Sequence, residues 1–260
     1  MGEASHEIVA ENGISVKESV TLKERHYLSI SHIQGADVLA RLAAKVEDEY
    51  DGKWSDQLFH EHRAYVMGSV FAAIAFLEAT INELFADAVD YPDGVKQLDE
   101  KAQVLMAGMS RIWAEKAPFS MLEKFQIAVI LAGKKEFDKG QSPCQDVASV
   151  VKLRNALVHY DPKWITTISD ADPEAVTVQE LEPRLQGKFS CNPLSGKANA
   201  FFPDRCLSHG CAQWAISSCL TFADEFFSRI GMRAPYEHIR SRLDARKATG
   251  HESTSPSHAV

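Results

Sequence analysis

The chain has 260 residues with 28 Lys and Arg against 36 Asp and Glu, a formal charge of -8 and a pI near 5.7. That balance excludes a protein that coats nucleic acid non-specifically, because such binders neutralise many phosphates with Lys and Arg; only a local basic groove is compatible with it. Hydrophobic residues at 45% and charged residues at 25% are ordinary globular composition, enough for a sizeable core.

Residues 1–17 lack the apolar stretch of a secretory signal and carry scattered acids. The longest uncharged apolar run, Ala64 to Leu77, falls short of the roughly 20 residues that span a bilayer, so a buried core helix and no membrane contact are expected. The five cysteines, in a chain with no export signal, are expected to be reduced thiols in a cytoplasmic protein.

Residues 1–31 form an N-terminal extension in which Ile8-Val9-Ala10 and Ile14-Ser15-Val16 flank the turn pair Asn12-Gly13, the signal for a short hairpin. Ile33, Val38, Leu39, Leu42, Ala43 and Val46 predict a helix from about His32 to Tyr50. Ser55 is a good cap for the longest element, which runs to about Val89 before Tyr91-Pro92. Its seam of Val70, Ile74, Leu77, Ile81, Leu84 and Ala88 carries Glu78 on its edge, half buried, with Asn82 one turn on. A further helix is expected from Val95 to about Glu115. Ser120 and Glu123 then form a capping box for Met121 to about Ala132, which Gly133 ends. A basic loop with Lys134, Lys135 and Lys139 follows. The stretch from about 165 to 203, rich in Pro, Gly and Ser, is an irregular excursion with a short helix in 178–185. Aromatic residues predict a helix from Asp204 to Ile230, stopped by Gly231, and a short one from Pro235 to Leu243. A disordered tail covers 245–260.

The stretch from Leu153 to Tyr160 organises this scaffold. Ser142 is read as its helix cap, Pro143 as the first helical residue, Gln145 as the capping-box partner, and Pro162 as the stop. Taking about 100° per residue, Arg154 lies within the arc of Val147, Val150, Val151, Leu157 and Val158. A guanidinium there cannot lose its proton, so it must find a carboxylate or face a groove. His159 lies about 140° away, on a polar, mildly basic flank with Asn155 and Lys152.

Arg154-Asn155 followed by three residues and His159, late in a helical chain, resembles the Arg-x4–6-His motif of the HEPN superfamily (higher eukaryotes and prokaryotes nucleotide-binding domains). The resemblance implies an all-α fold over 32–244: a HEPN-like helical bundle with one long central helix and an irregular excursion before the last long helix. It further implies a metal-independent endoribonuclease without cofactor, working as a homodimer on RNA, as toxins and defence factors of this kind do, with an inhibitor protein as a further partner. Arg154 would hold the scissile phosphate and His159 would move protons at the 2′-hydroxyl or the leaving oxygen, chemistry suited to the side chain that titrates nearest neutrality. Asn155 would orient the imidazole or reach a phosphate oxygen, Glu78 would pair with Arg154, and Lys152, Tyr160 and Lys163 would meet the substrate. Because the two motif side chains diverge on one helix, the site needs two copies of it. The alternative is a non-catalytic dimer of the same kind that binds a nucleotide, RNA or a protein; a third reading is an adaptor whose partner surface is the excursion.

One subgroup carries a tyrosine two residues after the histidine as a site of nucleotide transfer. Here Tyr160 follows His159 directly and Asp161 takes the other position, so that regulation is not expected. Cys206, His209 and Cys211 do not have a usual zinc spacing and are read as packed thiols beside a polar side chain. His60 and His62 are expected at the surface. Trp164 is expected to cap the core rather than stack a base.

Overall fold

A computed structural model describes residues 3–9, 15–21, 24–53, 55–114, 119–162 and 181–249. The expected hairpin is present: strand β1 (Glu3–Val9) pairs antiparallel with β2 (Ser15–Thr21), with Ile8 opposite Val16. The rest of the described chain is helical, in the order α1 (Ser29–Asp48), α2 (Asp56–Asp90), α3 (Glu100–Ala114), α4 (Met121–Leu131), α5 (Cys144–Val158), α6 (Glu182–Leu185), α7 (His209–Ile230) and α8 (Glu237–Thr249). The fold is therefore all-α apart from the hairpin.

Helix α2, 35 residues long, is the axis of the bundle. By length and composition it is the one helix among the described residues able to cross a membrane. Here Val66, Val70, Ala73, Phe76, Leu77 and Ile81 are each fully buried among helices of the same chain. Helices α1, α3, α4, α5 and α7 all pack on it. At the α4–α7 contact, the Phe125 ring stands edge-on to Phe222 and Phe226 at 5.0 and 4.7 Å. Tyr236, before α8, is buried against Phe76 at 5.2 Å and donates its hydroxyl to Asp224 at 2.9 Å.

Where the helix signals are local, the chain obeys them. The Ser55 hydroxyl accepts from Leu58 N, the Ser120–Glu123 capping box forms in both directions, and Gly231 stops α7 at φ 73°. Several expectations are corrected. α1 begins three residues early because Glu83, on α2, accepts from the backbone N–H groups of Leu28 and Ser29. α3 begins at Glu100, after a 3-10 turn at Pro92–Val95, because the Asp99 carboxylate accepts from Ala102 N. α7 begins at His209 with Ser208 as its cap, after a separate turn at Phe201–Arg205. α8 continues to Thr249, six residues beyond Leu243 and into the stretch expected to be disordered; 250–260 lie outside the described residues.

The start of α5 also differs. Helical residues begin at Cys144, and Ser142, two residues upstream, donates its hydroxyl to the Asp146 carboxylate at 2.7 Å instead of capping the backbone. The basic loop before it is fixed by Gln126, which exchanges two hydrogen bonds with the Phe137 backbone, and by Arg229, which donates to the carbonyls of Lys135 and Glu136. This loop meets the first turn of α5, whereas His159 follows its last; fifteen residues put about 22 Å between them. The loop does not border His159.

Phe125→Ala is expected to lower unfolding free energy by about 3–5 kcal/mol, because it opens a cavity inside an aromatic cluster with little room to collapse. Val104→Ala on the open face of α3 is expected to change it by about 0.5 kcal/mol or less. Urea unfolding of the two variants checks the contrast.

Candidate functional site

Helix α5 is held by Val147, Val150 and Leu153, all fully buried, and by part-buried Val151, Ala156 and Leu157. That packing fixes the helix and leaves Lys152, Asn155 and Val158 of its last two turns exposed. Arg154 is part-buried. Its Nε is shielded from solvent without a hydrogen-bond partner, and among the described residues its guanidinium forms no ion pair. His159 is the capping residue, with φ -106° and ψ 47°, and is exposed; its N–H donates to the Asn155 carbonyl at 2.8 Å. Lys152, Asn155 and Tyr160 are exposed around it. The Tyr160 ring lies 6.2 Å from Phe202 and is 49% exposed, and Val158 beside it is 52% exposed.

Two assigned roles change. Glu78 does not pair with Arg154: its Oε1 accepts from Lys124 Nζ at 2.8 Å, and the same ammonium reaches Asn82 Oδ1 at 2.9 Å. Glu78 and Asn82 stand one turn apart on the side of α2 that faces α4, so the nearest cation is the one α4 presents. The half-burial of Glu78 and its shared environment with Asn82 are as expected; the partner is not. Asn155 does not orient the His159 ring: its contact with His159 is the helical backbone one, and among the described residues no side chain bonds the imidazole. Lys163 and Trp164 lie outside the described residues. Among the described residues, the site therefore consists of a shielded cation with no counter-ion and, five residues on, an accessible imidazole.

A second polar centre was not foreseen. Glu47, in the last turn of α1 with its side chain 6% exposed, sits at the start of α7. Its Oε1 accepts from His62 Nε2 at 2.7 Å and from the His209 backbone N–H at 2.6 Å, while Oε2 accepts from His209 Nδ1. An ionised carboxylate only accepts, so both ring nitrogens facing it carry protons. Burial disfavours the charge on Glu47, but the hydrogen bonds from His209 and His62 outweigh it and hold the carboxyl below its usual range. The helix start adds its own preference for an anion. Hydrogen bonding to Glu47 raises the His209 pKa against the opposing effect of burial, with further help from the charges of Glu47 and Asp48. His62, expected at the surface, is fully buried, and its Nδ1 has no partner among the described residues. Burial pushes the Cys206 thiol up to about 12 and that of Cys211 upward too, so both are packed as unreactive thiols; Cys191 is exposed. No sequence spacing signals this centre, because its members are 15 and 162 residues apart.

Protein-family models, curated proteins and solved structures were compared with the chain, and none matches.

The Glu47 centre makes stability depend on pH in a definite direction. A lowered carboxyl pKa contributes above the ordinary value of 4.5 and is lost as pH falls through the folded value. A raised imidazole pKa contributes below 6.5 and is lost as pH rises through the folded value. Glu47→Gln is expected to destabilise by about 2–3 kcal/mol between those two values. The gap to the parent narrows on either side of that window. Thermal unfolding of both proteins from pH 4 to 9 checks this; a gap that does not vary with pH contradicts it.

Proposed function

We propose that this protein is a metal-independent endoribonuclease of HEPN type, acting as a homodimer in which two copies of the end of α5 form one cleft. The observation that carries the reading is the state of Arg154: a permanently charged, part-buried guanidinium that has no counter-ion among the described residues, five residues from an exposed imidazole. Such a cation is costly to keep unless an anion meets it, and a phosphodiester is an anion that a guanidinium grips through two parallel hydrogen bonds. The pairing of Glu78 with Lys124 leaves Arg154 available for that role.

In this mechanism Arg154 binds the non-bridging oxygens of the scissile phosphate and stabilises the charge that builds on them. One His159 takes the proton of the ribose 2′-hydroxyl as O2′ attacks phosphorus. His159 of the partner subunit gives a proton to the departing 5′-oxygen, leaving a 2′,3′-cyclic phosphate on one fragment and a 5′-hydroxyl on the other. Lys152 supplies positive potential along the strand. Exposed Val158 and Tyr160 supply apolar area for the second copy or for a base. The competing reading, a non-catalytic dimer that binds a nucleotide, RNA or protein in the same cleft, draws on one observation: no side chain among the described residues orients the His159 ring.

His159→Ala is expected to cut cleavage of a mixed RNA pool in EDTA by about 10²-fold or more, with the far-ultraviolet circular dichroism unchanged. Arg154→Met is expected to remove cleavage while raising unfolding free energy by about 0.5–2 kcal/mol, since it deletes an uncompensated charge from a partly buried position. A merely structural Arg154 would give the opposite sign in stability. RNA binding without cleavage by the parent protein would favour the non-catalytic reading.

A further inference from the structure

Helix α3 packs on α2 and α4 through Ala102 and Met106 and leaves the opposite side open. Val104, Leu105 and Ile112 on that side are 66%, 40% and 50% exposed. Counting about 100° per residue from Glu100, the exposed arc runs from Glu100 at 0° and Arg111 near 20° to Leu105 near 140°. Gly108, near 80°, stands at its centre. Val104 and Ile112 are one turn before and after it, each within about 40° of the same line.

A glycine in the interior of an exposed helix is unfavourable, and among the described residues nothing calls for it: a Cβ added to Gly108 would meet no atom of theirs within 4 Å. A residue of this kind suits the close approach of a backbone from outside. A flanking row of large apolar side chains on an open surface likewise suits a protein partner.

We propose that the outer face of α3 is a self-association surface, on which α3 of a second copy crosses antiparallel at Gly108. Charge selects that occupant. A two-fold axis at Gly108 sets Val104 of one copy against Ile112 of the other, and keeps residues of one flank on the same flank. Glu100 and Arg111 share a flank, so each carboxylate lies on the side of the other copy's guanidinium, within reach of two long side chains. A parallel copy would instead put Glu100 and the other copy's Arg111 on opposite flanks, where they do not meet. Lys101 lies beyond Val104 at the end of the row, where its ammonium reaches past the contact to water. This surface is on a different helix from α5 and goes beyond the reading of the Arg154–His159 site, so α3 variants keep RNA cleavage whatever their state of association.

The test uses cysteine cross-linking in the full chain carrying Cys191→Ser, which removes the exposed native thiol. Gly108→Cys sits on the proposed axis and is expected to give disulfide-linked dimers under mild oxidant. Val38→Cys, on an exposed apolar position of α1, is expected to give none. In sedimentation over a range of concentrations, Glu100→Arg and Arg111→Glu are each expected to weaken one association step about tenfold, and the double reversal to restore it. Cross-linking of Gly108→Cys no faster than Val38→Cys, or single reversals without effect, would overturn the proposal. Loss of cleavage at His159 with α3 cross-linking intact would leave it standing.

Discussion

A helix of 35 residues that is apolar around most of its circumference has to be covered on nearly every side, and that constraint shapes the molecule. Helix α2 extends about 52 Å, longer than any neighbour can cover alone. α1 and α7 are the long helices packed along it, and α3, α4 and α5 cover what remains. Because the core is built around one axis, the polar groups of the other helices are pushed to their ends and edges. Chemistry is found there: Glu47 at the end of α1, His62 near the start of α2, His209 at the start of α7, and Arg154 and His159 at the end of α5.

The Glu47 centre joins three helix ends with one carboxylate. Five polar groups are satisfied together: two carboxylate oxygens, a helix-start N–H and the N–H groups of two imidazoles. It anchors the start of α7, where the chain returns from its excursion, next to the Ser208 cap that also donates to the Ser190 carbonyl. Arg154 is the opposite case. Its position in the apolar arc of α5 follows from spacing alone, yet among the described residues no carboxylate pairs with it. One site is closed and internally compensated; the other, in the proposed reading, is open to an anion.

What the sequence made legible is what local chemistry controls. Ser55, Ser120 with Glu123, Gly133 and Gly231 marked helix ends that form where expected, and the seam of α2 was readable from its spacing. The inward lean of Arg154 and the outward position of His159 were readable too. What failed depends on partners distant in the chain. The start of α1 is set by Glu83, 54 and 55 residues away, the partner of Glu78 is Lys124, 46 residues on, and the burial of His62 depends on Glu47. The choice between Arg154 and Lys124 as the cation for Glu78 turned on how α4 and α5 rotate against α2, which no single-helix pattern contains.

The account rests on Arg154 being an anion site rather than a misplaced structural charge. The most direct measurement is the nitrogen-15 resonance of its Nε during titration with a short oligonucleotide whose 2′-hydroxyls are replaced by hydrogen, so that it binds without being cleaved. A saturating shift and slowed solvent exchange of the Arg154 Nε–H are expected, with the His159 ring resonances moving along the same binding curve. An Arg154 Nε–H that stays unchanged while other surface arginines respond would contradict it.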